Sequence, residues 1–240
     1  VKGRKDFLKI PDSPIAYNLS DKVYDSFTET AVGELAPVRK GNSTSNNQRF
    51  LRFGYEINRG KHALRSSSIK DSLSTGQYWM PYNKGGGYRR WYGYQEYLVN
   101  WKNDGESIRM IKTSVVTNEK FYMKPGLTWS TISTLGFSLR WFEQGFIFDN
   151  GGCCLFVEDE RLRKVILAAM NGKVLKFILS GLTPTLNFQS GEISKFPIKL
   201  PKDDSGIINL VERCIEISKN DWNRSELSWD FKRSELIQIK

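Results

Sequence analysis

A chain of 240 residues with 39% apolar and 13% aromatic residues can bury a core of its own, which excludes a disordered chain and one dependent on disulfide or metal staples. Its formal charge of +10 favours an anionic partner, nucleic acid first, and says nothing about fold. Cys153, Cys154 and Cys214 form no CxxC pair, and no membrane-length apolar run or signal-peptide pattern occurs, which together point to a reducing, cytoplasmic compartment and no membrane partner.

In chain order, residues 1–19 read as a connecting segment with Pro11 and Pro14. Ser20 then reads as an N-cap, with Asp21 in the first turn and Leu19 stapled to Tyr24, predicting a short helix over about 21–29. Gly33–Gly41 reads as a strand entering a turn, and Asn42–Gln48 is a polar run of amides and hydroxyls. Phe50–Ile57 reads as a strand with a bulge at Gly54, residues 58–75 as a loop, and Gln77–Tyr82 as a strand ended by Pro81. A glycine turn, Lys84-Gly-Gly-Gly-Tyr-Arg-Arg-Trp-Tyr-Gly-Tyr94, leads into a strand over Tyr94–Trp101 and a tight turn at Asn103-Asp-Gly105. Ser107–Ile111 fits a strand or a short helix equally.

From Phe121 to Val157 four short runs, Leu127–Ile132, Phe137–Phe142, Gly145–Asp149 and Cys153–Val157, argue for a meander or curled sheet. The period then changes. Leu162, Val165, Ile166, Ala169 and Met170 share a helical face, Asn171-Gly172 breaks it, and Val174, Phe177 and Ile178 resume it until Gly181 and Pro184. A polar turn over Thr185–Gly191 and a strand over Ile193–Leu200, closed by Pro201, follow. Ile207, Leu210, Val211, Cys214 and Ile215 mark an amphipathic helix capped by Asp204 or Ser205. The chain opens on Val1 and closes on Glu235–Lys240 without a helix stop signal, which reads as a fragment of a longer protein.

The charge is uneven. Residues 38–70 hold eight Lys and Arg against one acid, Glu56, a net +7, whereas 203–235 hold eight acids against five bases, a net −3. In the glycine turn, cations interleave with flat rings, a surface suited to holding a nucleic acid; the same stretch also fits a hairpin with its rings packed inward. Catalytic patterns are missing. His62 is the one imidazole and has no nucleophile pattern beside it, and neither a GxxxxGK[ST] loop nor a GxGxxG after a strand occurs. No zinc spacing and no distinctive carboxylate cluster is present.

Six motifs carry a resemblance: Trp79-Met-Pro-Tyr-Asn-Lys-Gly-Gly86, Tyr88-Arg-Arg-Trp-Tyr-Gly93, Tyr97-Leu-Val-Asn-Trp-Lys-Asn-Asp-Gly105, Gly126-Leu-Thr-Trp-Ser130, Gly145-Phe-Ile-Phe-Asp149 and Pro184-Thr-Leu-Asn-Phe-Gln189. In this order, from about Phe7 to Phe231, they resemble the PglX family of adenine-specific DNA methyltransferases of BREX phage defence. More widely they resemble large adenine-specific enzymes with a fused specificity domain. The region matched is the target recognition domain that follows the catalytic domain, akin to those of type I restriction specificity subunits. Gly33-Glu-Leu-Ala with Arg39-Lys-Gly41, and the paired helices before Ile193–Pro201, carry that second kinship. The family's Asn-Pro-Pro-Tyr and its S-adenosylmethionine-binding glycine motif are missing from this chain.

The resemblance implies an α/β (α+β) fold: a curled, mostly antiparallel sheet with paired short helices. It implies a lead-in over 1–30, a recognition domain over 31–202 and a helical exit over 203–240. The chain would read duplex DNA, with no cofactor of its own and S-adenosylmethionine in the parent enzyme. The residues expected at DNA are Arg39, Lys40, Ser43, Thr44, Asn47, Arg49, Lys84, Arg89, Arg90, Thr128, Ser130, Asn187 and Gln189. Two other binding classes stand beside this one. One is an RNA or single-strand binder that stacks bases on its rings. The other is a module whose basic face docks an acidic protein, such as another defence-system subunit or a phage DNA mimic.

Overall fold

In the computed structural model, residues 7–11, 19–182, 186–234 and 237 are described. Most of the connecting segment, with Pro14, and the stop at Pro184 with Thr185 lie outside them. In chain order the elements are α1 (Asp21–Ser26), α2 (Val32–Leu35), β1 (Val38–Arg39), α3 (Asn47–Phe50), β2 (Leu51–Phe53), α4 (Ile69–Ser74), β3 (Trp79–Asn83), β4 (Tyr97–Asn100), α5 (Lys102–Arg109), β5 (Gly126–Thr128), β6 (Arg140–Phe142), β7 (Ile147–Phe148), β8 (Cys154–Leu155), α6 (Glu160–Asn171), α7 (Lys173–Leu182), α8 (Ser190–Ser194) and α9 (Ser205–Trp222). The mixed α+β class is borne out.

The strands divide between two open sheets. The first has the order β1-β8-β5-β6 and is antiparallel throughout; the second has the order β2-β4-β3-β7, with β3 and β7 parallel. The run 153–157 shows why the first sheet is buried on both faces. Cys153, Leu155 and Val157 enter one core with Trp129, Leu139 and the helices α6 and α7, while Cys154 and Phe156 enter the other with Phe142, Phe148 and Tyr82. Alternate side chains of a strand point to opposite faces, so a run apolar at every position means a core on each side. Phe156 is the hinge of the second core, 4.8 Å from the Phe121 ring and 5.3 Å from Phe148. In these two cores burial pushes both thiols up, Cys153 to about 12 and Cys154 further.

Long, strongly periodic segments form as read. Helix α6 begins at Asp159, whose carboxylate accepts from the amides of Arg161 and Leu162, and Gly172 separates α6 from α7. Helix α9 runs from an N-cap at Asp204, and α1 starts after Ser20 but stops at Ser26. Ser107–Ile111 resolves as helix through Arg109, entered through left-handed Asn103, Asp104 and Gly105.

Several short readings are corrected. Gly33–Leu35 belongs to α2, and only Val38–Arg39 of that stretch is strand. Ile193 sits in α8, and the Ile193–Leu200 strand reduces to one bridge between Ala31 and Pro197. Gly54 opens a 3-10 turn in place of a bulge, Pro81 lies inside β3, and residues 69–74 of the expected loop are α4, capped by Ser68. For α2 and α8 a few apolar residues fit two periods, and tertiary packing decides between them.

Candidate nucleic-acid interface

The two sheets meet at a corner. Beyond β1 the chain crosses to the second sheet: the amide of Asn42 donates to Phe148 O at 2.8 Å, and that of Asn150 donates to Asn42 O at 2.8 Å. From this corner a series of backbone bonds joins loops that are far apart in sequence. The Thr131 amide donates to Gly151 O at 3.0 Å, the Phe188 amide to Thr131 O at 2.7 Å, and the Ser133 amide to Leu186 O at 3.1 Å. On the other side, Ser43 and Val115 exchange a pair of bonds, and Asn118 Nδ2 donates to Lys40 O at 3.0 Å. The glycine turn lies against the same series. Gly85 has a φ of +92°, and a Cβ there would run into Gly151 O, so only glycine closes this approach. The stretches 39–49, 84–87, 130–131 and 187–189 thus form one continuous strip.

Within the strip, Lys40, Asn47, Arg49, Asn187 and Gln189 are exposed, and Arg39 and Ser43 are half-buried. Thr44 Oγ1 donates to Asn47 Oδ1 at 2.8 Å, and Gln189 Nε2 donates to Asn187 Oδ1 at 2.7 Å. The Asn47 and Asn187 side-chain oxygens are thus engaged as acceptors within the strip. Arg39 donates to Val38 O and stands 5.5 Å from the Phe121 ring centroid; Arg49 stands 5.1 Å from that of Phe50.

Other expected residues lie behind the strip. The Thr128 and Ser130 hydroxyls are buried, donating to Cys153 O at 3.0 Å and Gly87 O at 3.1 Å. Lys84 Nζ donates to Asp149 Oδ1 at 2.8 Å, and that carboxylate, 2% exposed, also accepts from Gly151 N and from the Tyr82 hydroxyl. Beside the carboxylate, burial holds the Tyr82 phenol well above its usual pKa. Arg89 turns away to α9, where it donates to Tyr92 O, Ser218 O and Asp221 Oδ2 and covers Trp222. Arg90 Nε donates to the Tyr88 hydroxyl at 2.6 Å. Neither arginine lies in a strand, because residues 84–96 form an irregular connection from β3 to β4. That connection opens onto no helix, so the glycine triplet lacks the strand–glycine–helix arrangement that holds a nucleotide phosphate.

Sequence reading passed over a cleft of about 240 Å³ lined by Asn47, Gln48, Leu51, Arg52, Phe53, Lys84 and Tyr97 together with one acid, Glu56. Arg52 Nη1 is anchored there by Gln48 O and Leu51 O, both at 2.6 Å. Phe53 stacks on Tyr97 at 4.8 Å and on Tyr55 at 5.4 Å, and Tyr55 is 67% exposed. The signal was in the sequence: Arg52, Phe53, Tyr55 and Tyr97 repeat the basic–aromatic mixture of the glycine turn. Among the described residues, no three His, Cys, Asp or Glu side chains converge to hold a metal, and no helix is long and apolar enough to cross a membrane.

No family model matches the chain. It is 38% identical over 240 residues to the adenine-specific methyltransferase BrxX of Escherichia coli O9:H4 (strain HS), covering 99% of this chain and 19% of that protein. It is 34% identical over 241 residues to the adenine-specific methyltransferase PglX of Lacticaseibacillus casei (strain Zhang), covering 97% of this chain and 20% of that protein. The chain spans about a fifth of the length of these relatives. Along nearly its whole length, then, it is related to one region of the adenine-specific methyltransferases of the BrxX and PglX type.

Proposed function

We infer that this chain is the duplex-DNA-reading region of a PglX-type adenine-specific methyltransferase acting in cytoplasmic phage defence. It would hold the duplex while a catalytic part elsewhere in the parent protein takes an adenine out of the stack and supplies S-adenosylmethionine. The observation that carries this reading is the continuous strip, which brings sequence-distant cations, amides and hydroxyls to one corner of the two sheets. Residues 31–202 form the recognition domain, with 1–30 and 203–240 as its flanks. Lys40, Arg39 and Arg49 neutralise phosphates, and Ser43, Asn47, Asn187 and Gln189 face base edges. Thr44, Lys84, Thr128 and Ser130 fix the strip from behind, Arg89 ties it to α9, and Arg90 approaches the backbone from its perch on Tyr88.

The Tyr55–Phe53–Tyr97 stack beside the cleft favours a second reading, a single-strand or RNA binder. Titration of the chain with one sequence as duplex and as each single strand separates them. The first reading expects the duplex to bind tighter, and about six neutralised phosphates would cost roughly a thousandfold in affinity between 50 and 200 mM salt. Tighter binding to single strands, or a flat salt response, would sink it. Calorimetry should show no micromolar binding of S-adenosylmethionine to the isolated chain.

A further inference from the structure

Among the described residues Arg140 combines the deepest burial of a cation with two unpartnered nitrogens. It lies on β6, 1% exposed, and its Nη2 donates to Ser130 Oγ at 3.2 Å, while its buried Nε and Nη1 have no partner. Among the described residues no carboxylate reaches it within ion-pair distance. The groups that face it are Tyr94, Cys154, Arg89 and Glu96, and of these Arg89 is a second cation. Glu96 attracts it through space but makes no bond to it, and burial outweighs that attraction and raises the Glu96 carboxyl above its ordinary value. Burial likewise depresses Arg140 to about 10. Among the described residues Arg163 is also buried, with an unpartnered Nε and no ion pair, but three carboxylates, Glu160, Glu143 and Asp159, stand in its field where Arg140 has Glu96 alone. A buried cation with no ion pair and two unpartnered nitrogens costs stability that an apolar side chain of similar size would not, so the fold alone gives little reason to keep it.

Its position gives one. The Ser130 hydroxyl that Arg140 touches donates to Gly87 O, directly under the glycine turn. The Tyr94 ring lies between that turn and the guanidinium. Its centroid is 5.4 Å from Arg140 Cζ, and Cβ atoms at Gly86 and Gly87 would stand 3.0 Å from its Cγ and 2.7 Å from its hydroxyl. Gly86 and Gly87 are exposed, so the Tyr94 ring on which the guanidinium lies sits directly beneath a solvent-facing stretch of bare backbone. Tyr94 itself has a left-handed φ of +56°, next to Gly93 at +121°, a conformation that the chain holds at a cost.

We propose that Arg140 is an anion-receiving residue kept beneath Tyr94, and that a phosphate of duplex DNA settling on the Gly86–Gly87 turn displaces the ring and pairs with the guanidinium. This rests on the reading of the chain as a DNA-binding region. A phosphate is the partner chosen over a base edge, because a guanidinium with no ion pair and two unpartnered nitrogens calls for a full counter-charge where a base offers only dipoles. Contact with the DNA backbone carries no sequence information, so the effect should be the same on any duplex.

The test uses the full 240-residue chain as wild type, R140M and R140K, two duplexes of unrelated sequence, and thermal melting without DNA. R140M should melt at or above wild type. It should bind both duplexes about tenfold or more weakly, with a salt slope shallower by about one, while R140K keeps the wild-type slope. Wild-type affinity and slope in R140M would overturn the proposal. So would an R140M that melts lower or fails to fold, since the guanidinium would then be serving the fold. If the wild type binds neither duplex, the DNA reading itself falls and takes this proposal with it.

Discussion

Lys84 reads from the sequence as a free point charge beside a glycine turn, and the fold gives its ammonium to Asp149, whose carboxylate is 2% exposed. Removing the lysine would leave that carboxylate buried without its cation, so Lys84→Ala should cost on the order of 3 kcal/mol in urea unfolding. Asp149→Asn in the same chain should recover part of it; a loss below about 0.5 kcal/mol would make the pair a surface one. His62 offers a test by pH. It is 6% exposed, and burial lowers its pKa from 6.5. The unfolded chain therefore takes up the proton first, and stability should fall as pH drops through about 6.5 towards the folded value. His62→Gln should remove that part of the acid sensitivity, read as the difference in melting temperature between pH 7.5 and 5.5. Composition told which side chains can meet a phosphate. It could not tell which are already engaged, because the partners of Lys84 and Arg89 lie 65 and 132 residues away in sequence.

Among the elements, legibility followed length. Helices α6 and α9 show enough turns for the apolar stripe to choose one period, and the caps at Asp159 and Asp204 mark their starts. Asp159→Ala should destabilise the chain by about 1 kcal/mol, measured by urea unfolding, since two amides of the first turn lose their acceptor. Short segments carried no such information. Strand β1 has two residues and α8 five, so their sequence patterns fit helix and strand alike, and packing against one another sets them. The four runs between Phe121 and Val157 were legible as strands, but their division between two sheets was not. That division depends on β7 pairing in parallel with β3, more than sixty residues earlier in the chain. The strip was legible in its residue types and its basic flanks; its continuity arises from backbone bonds that no local pattern announces.

At the scale of the whole molecule, the uneven charge acquires a direction. Four of the eight acids of the C-terminal segment are spent on the body of the protein: Asp204 pairs with Arg161, Glu212 with Lys164, Asp221 with Arg89 and Asp230 with Arg65. These pairs tie α9 and the following segment to the sheets and neutralise cations on that side. Along 38–52 Arg39, Arg49 and Arg52 contact rings and carbonyls instead, and among the described residues no carboxylate pairs with them or with the exposed Lys40. Screening at physiological salt acts over about 8 Å, so only charges beside a bound phosphate should govern affinity strongly. Arg49→Glu replaces a cation of the strip by an anion, whereas Glu216→Lys makes the opposite change at an exposed, unpaired site on α9. If the duplex lies on the strip, Arg49→Glu should weaken binding roughly tenfold or more and flatten the salt slope by about two, the change in charge at one contact. Glu216→Lys should leave affinity within about twofold. The measurement is duplex affinity at several salt concentrations for both variants. Equal and opposite effects would mean that DNA responds to net charge alone, and a larger effect from Glu216→Lys would move the binding face to α9.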